Sequence, residues 1–278
     1  MAERLIATVL PAQRVIDDGD MLLWRALPQR SRLSLGPFVF IDHYRHRSRR
    51  GIGDSPHPHA GIEVISYLLE GEVEHRDSEG FHDHLGAGDA QWIRAGRGML
   101  HAEQPAGGRH GLQLWTSLPP EQKWIEPAYA SFRRDRIPEF EQGEARVRVI
   151  AGRIGDHAGP MATTMPTLLA HVRLPSGGRT VLPVREDELG LVVLDGQLDL
   201  GDGNTLGAGA LAVLTPGDPV ALRATAQGPA DVVLLGGPPV QGQILFGGPF
   251  VMDTPERLAQ ARRDFASGKM GRLDGVPF

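Results

Sequence analysis

Two parts of the chain repeat each other, and this repeat constrains the fold more than any other feature of the sequence. Residues 67–75 read YLLEGEVEH and residues 192–200 read VVLDGQLDL, while LGAGDAQWIRAG at 85–96 corresponds to LGAGALAVLTPG at 206–217. The first pair of segments is 125 residues apart and the second pair 121. Internal similarity over this distance predicts two similar domains in tandem.

The spacing of turn-forming residues in the repeated segments is typical of a β protein. Short apolar runs are bounded by glycine, proline or aspartate, and the 36 glycines and 22 prolines are spread along the chain. We expect the acidic residue and glycine of each first segment to turn one strand into the next, and each G-x-G to form a tight turn. This favours an all-β fold of two double-sheet jelly rolls, the cupin architecture, over residues 1–140 and 141–278.

One helix is expected near the end of the chain. In TPERLAQARRDFASG, Thr254 can cap the helix, Pro255 takes the first helical position and Gly268 follows the end.

Composition and charge exclude several classes of protein. Cysteine is absent, which excludes disulfides, thiolate metal sites and cysteine nucleophiles. The net charge of −5 disfavours nucleic acid as a partner, and no stretch approaches the roughly 18 apolar residues of a membrane span. The N-terminus lacks the basic start of a secretory signal, so we expect a cytoplasmic protein. We interpret a local basic run, Arg45, Arg47, Arg49 and Arg50, as a solvated loop rather than a phosphate site.

Two short motifs place candidate metal ligands at alternate positions. His57 and His59 flank a proline in HPH, and His101 and Glu103 have the same spacing in HAE. Residues i and i+2 of a strand point to one face, so two such pairs across a barrel can bring three imidazoles and one carboxylate onto one ion. This ligand set suits a divalent first-row metal. Four protein ligands on an octahedral metal leave positions for water, oxygen or substrate, which predicts a catalytic or sensing site.

Other residues compete for the site. Glu63 has the same parity as the two histidines of HPH and rivals Glu103. We expect His82 and His84 to lie in a solvated loop after DSEG, and His75 to be exposed at the end of a strand. The remaining histidines have no partner at a useful spacing: His43, His46, His110, His157 and His171.

The second copy of the repeat serves as an internal control. With the two offsets, the four candidate ligands fall on Leu182, Val184, Leu222 and Ala224. The turns are kept while all four positions become apolar together. This predicts a metal in the first domain and none in the second.

Three longer segments of the sequence resemble segments of a known family. PHPHAGIEVISYLLEGEVEHRDS, then GAGDAQWIRAGRGMLHAE and the late GGPFVMDTPERLAQARRDFASGKMG, are similar to the corresponding segments of the pirins. The resemblance extends from about residue 40 over most of the chain. It implies a metal centre, usually iron, on His57, His59, His101 and Glu103, and so favours Glu103 over Glu63.

The resemblance also implies two alternative functions. Several bacterial pirins are quercetin 2,3-dioxygenases, which open the central ring of the flavonol with molecular oxygen and release carbon monoxide. We expect this activity here, with a flavonol or another aromatic as substrate and Glu103 as the catalytic proton acceptor. Iron(II) is the expected metal, with manganese, cobalt, nickel, copper and zinc as alternatives. Other pirins are metal-containing regulators that bind a protein partner without turnover. We expect a monomer in either case.

Overall fold

A computed structural model describes residues 2–48, 53 and 55–275, and most of them lie in β-strands, as the sequence predicts. In chain order the strands of the first half are β1 (Ile6–Pro11), β2 (Gln13–Asp17), β3 (Met21–Leu27), β4 (Phe38–His46), β5 (His57–His59), β6 (Ile62–Asp77), β7 (His82–Leu85), β8 (Ala90–Arg94), β9 (Met99–Ser117) and β10 (Ala128–Phe132). They are followed by β11 (Glu139–Gln142), β12 (Ala145–Ala151), β13 (Arg153–Ile154), β14 (His157–Ala158), β15 (Leu168–Leu174), β16 (Arg179–Leu182), β17 (Glu188–Asp195), β18 (Gln197–Gly201), β19 (Asn204–Gly207), β20 (Ala210–Leu214), β21 (Val220–Arg223), β22 (Ala230–Gly237), β23 (Leu245–Gly247) and β24 (Phe250–Met252).

The predicted helix is α1 (Pro255–Ala266), and its caps are as expected. Thr254 Oγ1 accepts a hydrogen bond of 3.2 Å from the backbone N–H of Arg257, and Gly268 follows the end with φ of 74°. Short 3-10 turns lie at Pro120–Gln122 and Arg134–Arg136. Within the described residues, no helix has both the length and the apolar character that crossing a bilayer requires.

The chain folds as two units, each built around its own main sheet. The N-terminal unit contains Arg14–Leu23, Val39–Arg134 and Val240–Phe278. Its main sheet has the order β10-β8-β6-β9-β4-β3-β2, with β5 paired to β9 and β7 paired to β6. The long strands β6 and β9 pair antiparallel along most of their length, so that β9 lies between β6 and the short strand β5.

The C-terminal unit contains Met1–Gln13, Trp24–Phe38 and Asp135–Pro239. Its main sheet has the order β1-β20-β17-β22-β15-β12-β11, and shorter ladders join β16 to β21 and β18 to β19. The inward side chains of these strands form one apolar core, which includes Val147, Leu189 and Val232. Burial of apolar area of this kind is the main favourable contribution to folding.

A single boundary after residue 140 does not describe the two units, because each end of the chain belongs to the unit that the other half of the chain mainly forms. We call this arrangement the exchange of end segments. β1 pairs with β20, so that the start of the chain belongs to the C-terminal unit. Phe250 and Met252 of β24 pack with Ala60 in a buried cluster, so that the end of the chain belongs to the N-terminal unit. The chain passes from the N-terminal unit to the C-terminal unit between Arg134 and Asp135, which is the crossing closest to the expected boundary.

The glycine of the repeated acidic–glycine pair has a different role from the predicted turn in the first copy. β6 continues through Glu70 and Gly71, where its register against β9 shifts. Gly71 has φ of 84°, and a Cβ there would lie 2.2 Å from Gly108 O. Gly196, its counterpart between β17 and β18, has φ of 71°, and a Cβ there would lie 2.0 Å from Pro229 O. Both positions therefore require glycine because backbone passes too close for a side chain.

Candidate metal centre

Strands β5 and β9 bring three of the predicted ligands together. His57 lies opposite His101 in the antiparallel ladder, and His59 lies two residues further along β5. Their ring centroids are 4.3 Å apart for His57 and His101 and 5.0 Å apart for His59 and His101. One ring nitrogen from each lies within 4.8 Å of the others. This cluster can bind a metal ion.

The orientation of these imidazoles suits metal binding. His57 Nδ1 lies 3.0 Å from Ser55 O, and His59 Nδ1 lies 3.3 Å from Pro249 O. A carbonyl accepts only from a protonated nitrogen, so each contact places the hydrogen on Nδ1 and leaves the Nε2 lone pair available, the arrangement found in metal-bound histidines.

Buried nitrogen atoms at the centre of the cluster have no hydrogen-bond partner. His59 Nε2 and both ring nitrogens of His101 are in this state. An unsatisfied buried polar atom is costly, and a metal ion would satisfy the lone pairs. Burial, followed by the effect of His57, lowers the pKa of His59 to about 3. Burial and the other two histidines hold the pKa of His101 well below its usual value. Both rings are therefore neutral, the form that binds metal, and the donor set fits a divalent cation.

Glu103 reaches the cluster from the His101 side. Its Oε1 lies 3.9 Å from His101 Nδ1, and a second group of potential ligands consists of His75, His101 and Glu103. Thus His101 belongs to both groups, while Glu103 is not within 4.8 Å of the ligand atoms of all three predicted histidines. The set of four ligands stays a prediction.

Neighbouring side chains hold the Glu103 carboxylate in place. Gln91 Nε2 donates a short hydrogen bond to Oε1, Ser66 Oγ lies 3.5 Å from the same atom, and Arg109 Nη1 donates to Oε2 at 3.0 Å. Burial acts to raise the pKa of Glu103, but Arg109, His75 and His57 outweigh it and lower the pKa. The carboxylate is ionised at neutral pH, as a metal ligand must be.

His75 was expected to be exposed, and this expectation is wrong. Its side chain is fully buried in β6, stacked on Tyr129 with centroids 4.4 Å apart, and its Nε2 lies 3.1 Å from Asp77 Oδ2. Burial alternates along this part of the strand, with Val73, His75 and Asp77 inside. In the sequence, His75 has the parity of apolar Val73 and alternates with charged Glu74 and Arg76, and this is the signal that could have placed His75 on the inner face.

The other candidates do not join the cluster. Glu63 is buried and accepts a hydrogen bond of 3.0 Å from Thr116 Oγ1, and it is in none of the potential ligand groups of the described residues. His82 and His84 are exposed, as expected, although they begin β7 rather than lie in a loop. With Glu74 they form a third, exposed group, in which His82 Nε2 lies 2.7 Å from Glu74 Oε1.

Two further histidines contact each other, which their spacing in the sequence did not predict. His43 Nε2 lies 2.7 Å from His110 Nε2, and Arg45 Nη2 lies 3.3 Å from His110 Nδ1. Arg45 and Arg47 of the basic run are exposed, whereas Arg49 and Arg50 lie outside the described residues.

The C-terminal unit contains none of the potential ligand groups found among the described residues. Its ladder between β16 and β21 places Thr180 opposite Leu222, as His57 lies opposite His101. By this register the counterpart of His57 is Thr180, two residues before the Leu182 given by the sequence offset. Thr180 Oγ1 donates to Gln142 O at 2.6 Å, so this hydroxyl already has a partner.

Comparison with known proteins assigns the chain to a family. A family model described as Pirin matches residues 22–116, and one described as Pirin C-terminal cupin domain matches residues 169–271. The chain belongs to the pirin family. The resemblance seen in the sequence and the prediction of two cupin domains are both confirmed.

Relatives of this pirin match it over nearly the whole chain. A pirin-like protein of Solanum lycopersicum is 33% identical over 264 residues, which cover 93% of this chain and 90% of the relative. A crystal structure of quercetin 2,3-dioxygenase from Acinetobacter baumannii has a TM-score of 0.87 at 29% identity and covers 97% of this chain and 99% of that one. A bacterial pirin of Escherichia coli in complex with nickel(II) has a TM-score of 0.63 at 21% identity, covering 84% and 100%, and shares the fold.

Proposed function

We propose that this pirin is a metal-dependent dioxygenase that opens the central ring of a flavonol such as quercetin. The observation that carries the proposal is the set of buried, unpartnered nitrogens of His59 and His101 beside His57. The similarity to a quercetin 2,3-dioxygenase over 97% of the chain supports this choice of reaction. Iron(II) is the proposed metal, held by His57, His59, His101 and Glu103, and the nickel(II) complex of the Escherichia coli pirin makes nickel an alternative.

The bound ion would supply a positive charge that stabilises the deprotonated flavonol close to dioxygen. In the overall reaction both oxygen atoms enter the products, one ring carbon leaves as carbon monoxide, and the flavonol is oxidised without an external reductant. The chain's own contribution begins with the imidazoles of His57 and His59, whose orientation is fixed by backbone carbonyls before the substrate binds. Such preorganisation avoids a reorganisation cost during the reaction.

We assign the proton of the flavonol hydroxyl to the Glu103 carboxylate. Its contacts with Arg109 and Gln91 keep it ionised and ready to accept. Arg109, together with His75 and His57, outweighs burial and lowers the pKa of Glu103, which makes the carboxylate a weak base, so that the hydroxyl must be acidified before the proton moves. Glu103→Gln should therefore lose turnover.

The test is anaerobic reconstitution with ferrous iron, followed by addition of quercetin and oxygen. We expect loss of the flavonol absorbance with release of carbon monoxide in equal amount. If none of iron, manganese, nickel, cobalt and copper supports turnover, the proposed dioxygenase activity is refuted. A regulatory pirin that binds a protein partner is then the alternative. A cytoplasmic location and a monomeric state stay predictions, which fractionation and light scattering can check.

A further inference from the structure

A large cavity opens in the C-terminal unit, in the domain without the candidate metal centre. Its volume is about 1040 Å³, at the upper end of the range of small-molecule sites. Apolar side chains of the unit's core form much of its wall: Leu191, Leu198, Leu214, Val220 and Leu222. An apolar wall of this kind suits the hydrophobic body of an organic ligand rather than an ion.

The mouth of the cavity also carries apolar side chains. Leu5, Val181 and Leu200 line it, and they are 64%, 52% and 40% exposed. They are three of the eight large hydrophobic side chains that are exposed among the described residues. Apolar residues gathered at one opening indicate a binding site, because scattered single ones are normal on protein surfaces but a cluster is not.

Arg4 provides a positive charge on the wall of the same cavity. The residue is 5% exposed, its Nη1 donates to Thr215 O at 3.2 Å, and its Nη2 donates to Glu186 O. Both acceptors are uncharged carbonyls. Its Nε is buried and has no hydrogen-bond partner.

No carboxylate of the described residues lies within 4.0 Å of the Arg4 guanidinium. Asp218, Glu186 and Asp187 attract it only from a greater distance. The other two arginines of the cavity differ in this respect, because Arg179 faces Glu144 at 3.8 Å and Arg223 faces Asp199 at 3.7 Å. A buried charge is normally paired, so Arg4 lacks the anion that such a position requires.

We propose that this cavity binds an organic acid with an apolar body, whose carboxylate contacts Arg4 and whose hydrocarbon part lies against the leucines of the wall. The site is independent of the metal centre, since every residue that forms it belongs to the C-terminal unit. In this interpretation the second cupin keeps a ligand pocket after its metal-ligand positions have been filled by Thr180, Leu222 and Ala224.

The test uses naphthalene-2-carboxylate as the probe and naphthalene-2-carboxamide as its uncharged counterpart, with the full-length, metal-loaded protein in isothermal titration calorimetry. We expect one molecule of the acid per chain, bound more tightly than the amide. Arg4→Met should weaken the acid by about 10- to 100-fold, the effect of losing a charge-assisted hydrogen bond, and weaken the amide much less.

A second pair of variants keeps the test decisive if Arg4→Met perturbs the N-terminal strand. Val181→Glu places a carboxylate at the exposed mouth and should, through repulsion, weaken the acid more than Val181→Gln, in which the new side chain has the same size but no charge. Metal content must stay equal in all variants, which separates this site from the metal centre. Equal affinities for acid and amide, or equal effects of Glu and Gln at position 181, would overturn the proposal.

Discussion

Arg109 Nη1 lies 3.0 Å from Glu103 Oε2 in the interior of the N-terminal unit, and each side chain is 3% exposed. Removal of the cation leaves a buried carboxylate unpaired, which typically costs about 3–5 kcal/mol. We therefore expect Arg109→Met to lower the free energy of unfolding of the metal-free protein by this amount, measured by urea denaturation. Arg109→Met combined with Glu103→Gln removes both charges and should recover much of the loss. If the double variant is as unstable as the single one, the ion pair is not the source of the effect.

Metal binding distinguishes the buried histidines from the exposed ones. His101 belongs to two potential ligand groups, whereas His84 is exposed on β7. We expect His101→Ala to abolish stoichiometric metal after dialysis, measured by elemental analysis, and His84→Ala to leave it intact. Equal loss of metal in the two variants would contradict the assignment of His101 as a metal ligand.

Acid should destabilise the metal-free protein through its buried neutral histidines. Burial, followed by His110 and Arg45, lowers the pKa of His43 to about 3. An unfolded histidine has a pKa near 6.5, so below about pH 6.5 the unfolded chain binds more protons than the folded one. The free energy of unfolding therefore falls as the pH falls, by up to about 1.4 kcal/mol per pH unit for this group, until the pH reaches about 3.

Substitution of His43 tests this pH dependence. His43→Asn should flatten the dependence of the urea midpoint between about pH 7 and 5, whereas His84→Asn, at an exposed position, should not. An unchanged slope in His43→Asn would contradict a lowered pKa of His43 in the folded protein, because the folded and unfolded states would then bind the same number of protons at this residue.

Lys123 connects the end of the chain to the first cupin. Its buried Nζ donates to Gly61 O and Ser117 Oγ at 2.8 Å and to Val251 O at 3.0 Å, and burial lowers its pKa to about 8. Lys123→Met removes the donor shared by three acceptors, of which Gly61 O keeps a hydrogen bond of 3.2 Å from the Leu118 N–H, and should destabilise by about 1–3 kcal/mol in thermal or urea unfolding. The same change at the exposed Lys269 should have an effect below about 0.5 kcal/mol. Similar losses at both positions would contradict the role of Lys123.

The sequence predicted the features that depend on local spacing. The i, i+2 pairs of β5 and β9, the capped helix and the tandem repeat are all readable from neighbouring residues, because strand and helix geometry fix which side chains share a face. The choice of Glu103 over Glu63 as the fourth candidate ligand depended on the family resemblance, because both glutamates have the same parity as the candidate histidines.

The features that sequence reasoning missed depend on contacts between distant residues. Arg109 lies in PAGGRHG, which has the composition of a loop, yet β9 runs through it and places this guanidinium beside Glu103. The approach of Pro249 O to His59 joins residues 190 positions apart. Neither local propensity nor periodicity contains such information, because tertiary packing decides it.

The exchange of end segments between the units has a consequence for biosynthesis. The ribosome makes residues 240–275 only after the whole second cupin, yet these residues supply the carbonyl of Pro249 to His59 and that of Val251 to Lys123. The first cupin to emerge is therefore the last to be completed. A nascent chain that has exposed all four candidate ligands still lacks the contact that orients His59 until Pro249 has been made, so we expect metal capture to follow synthesis of the second cupin.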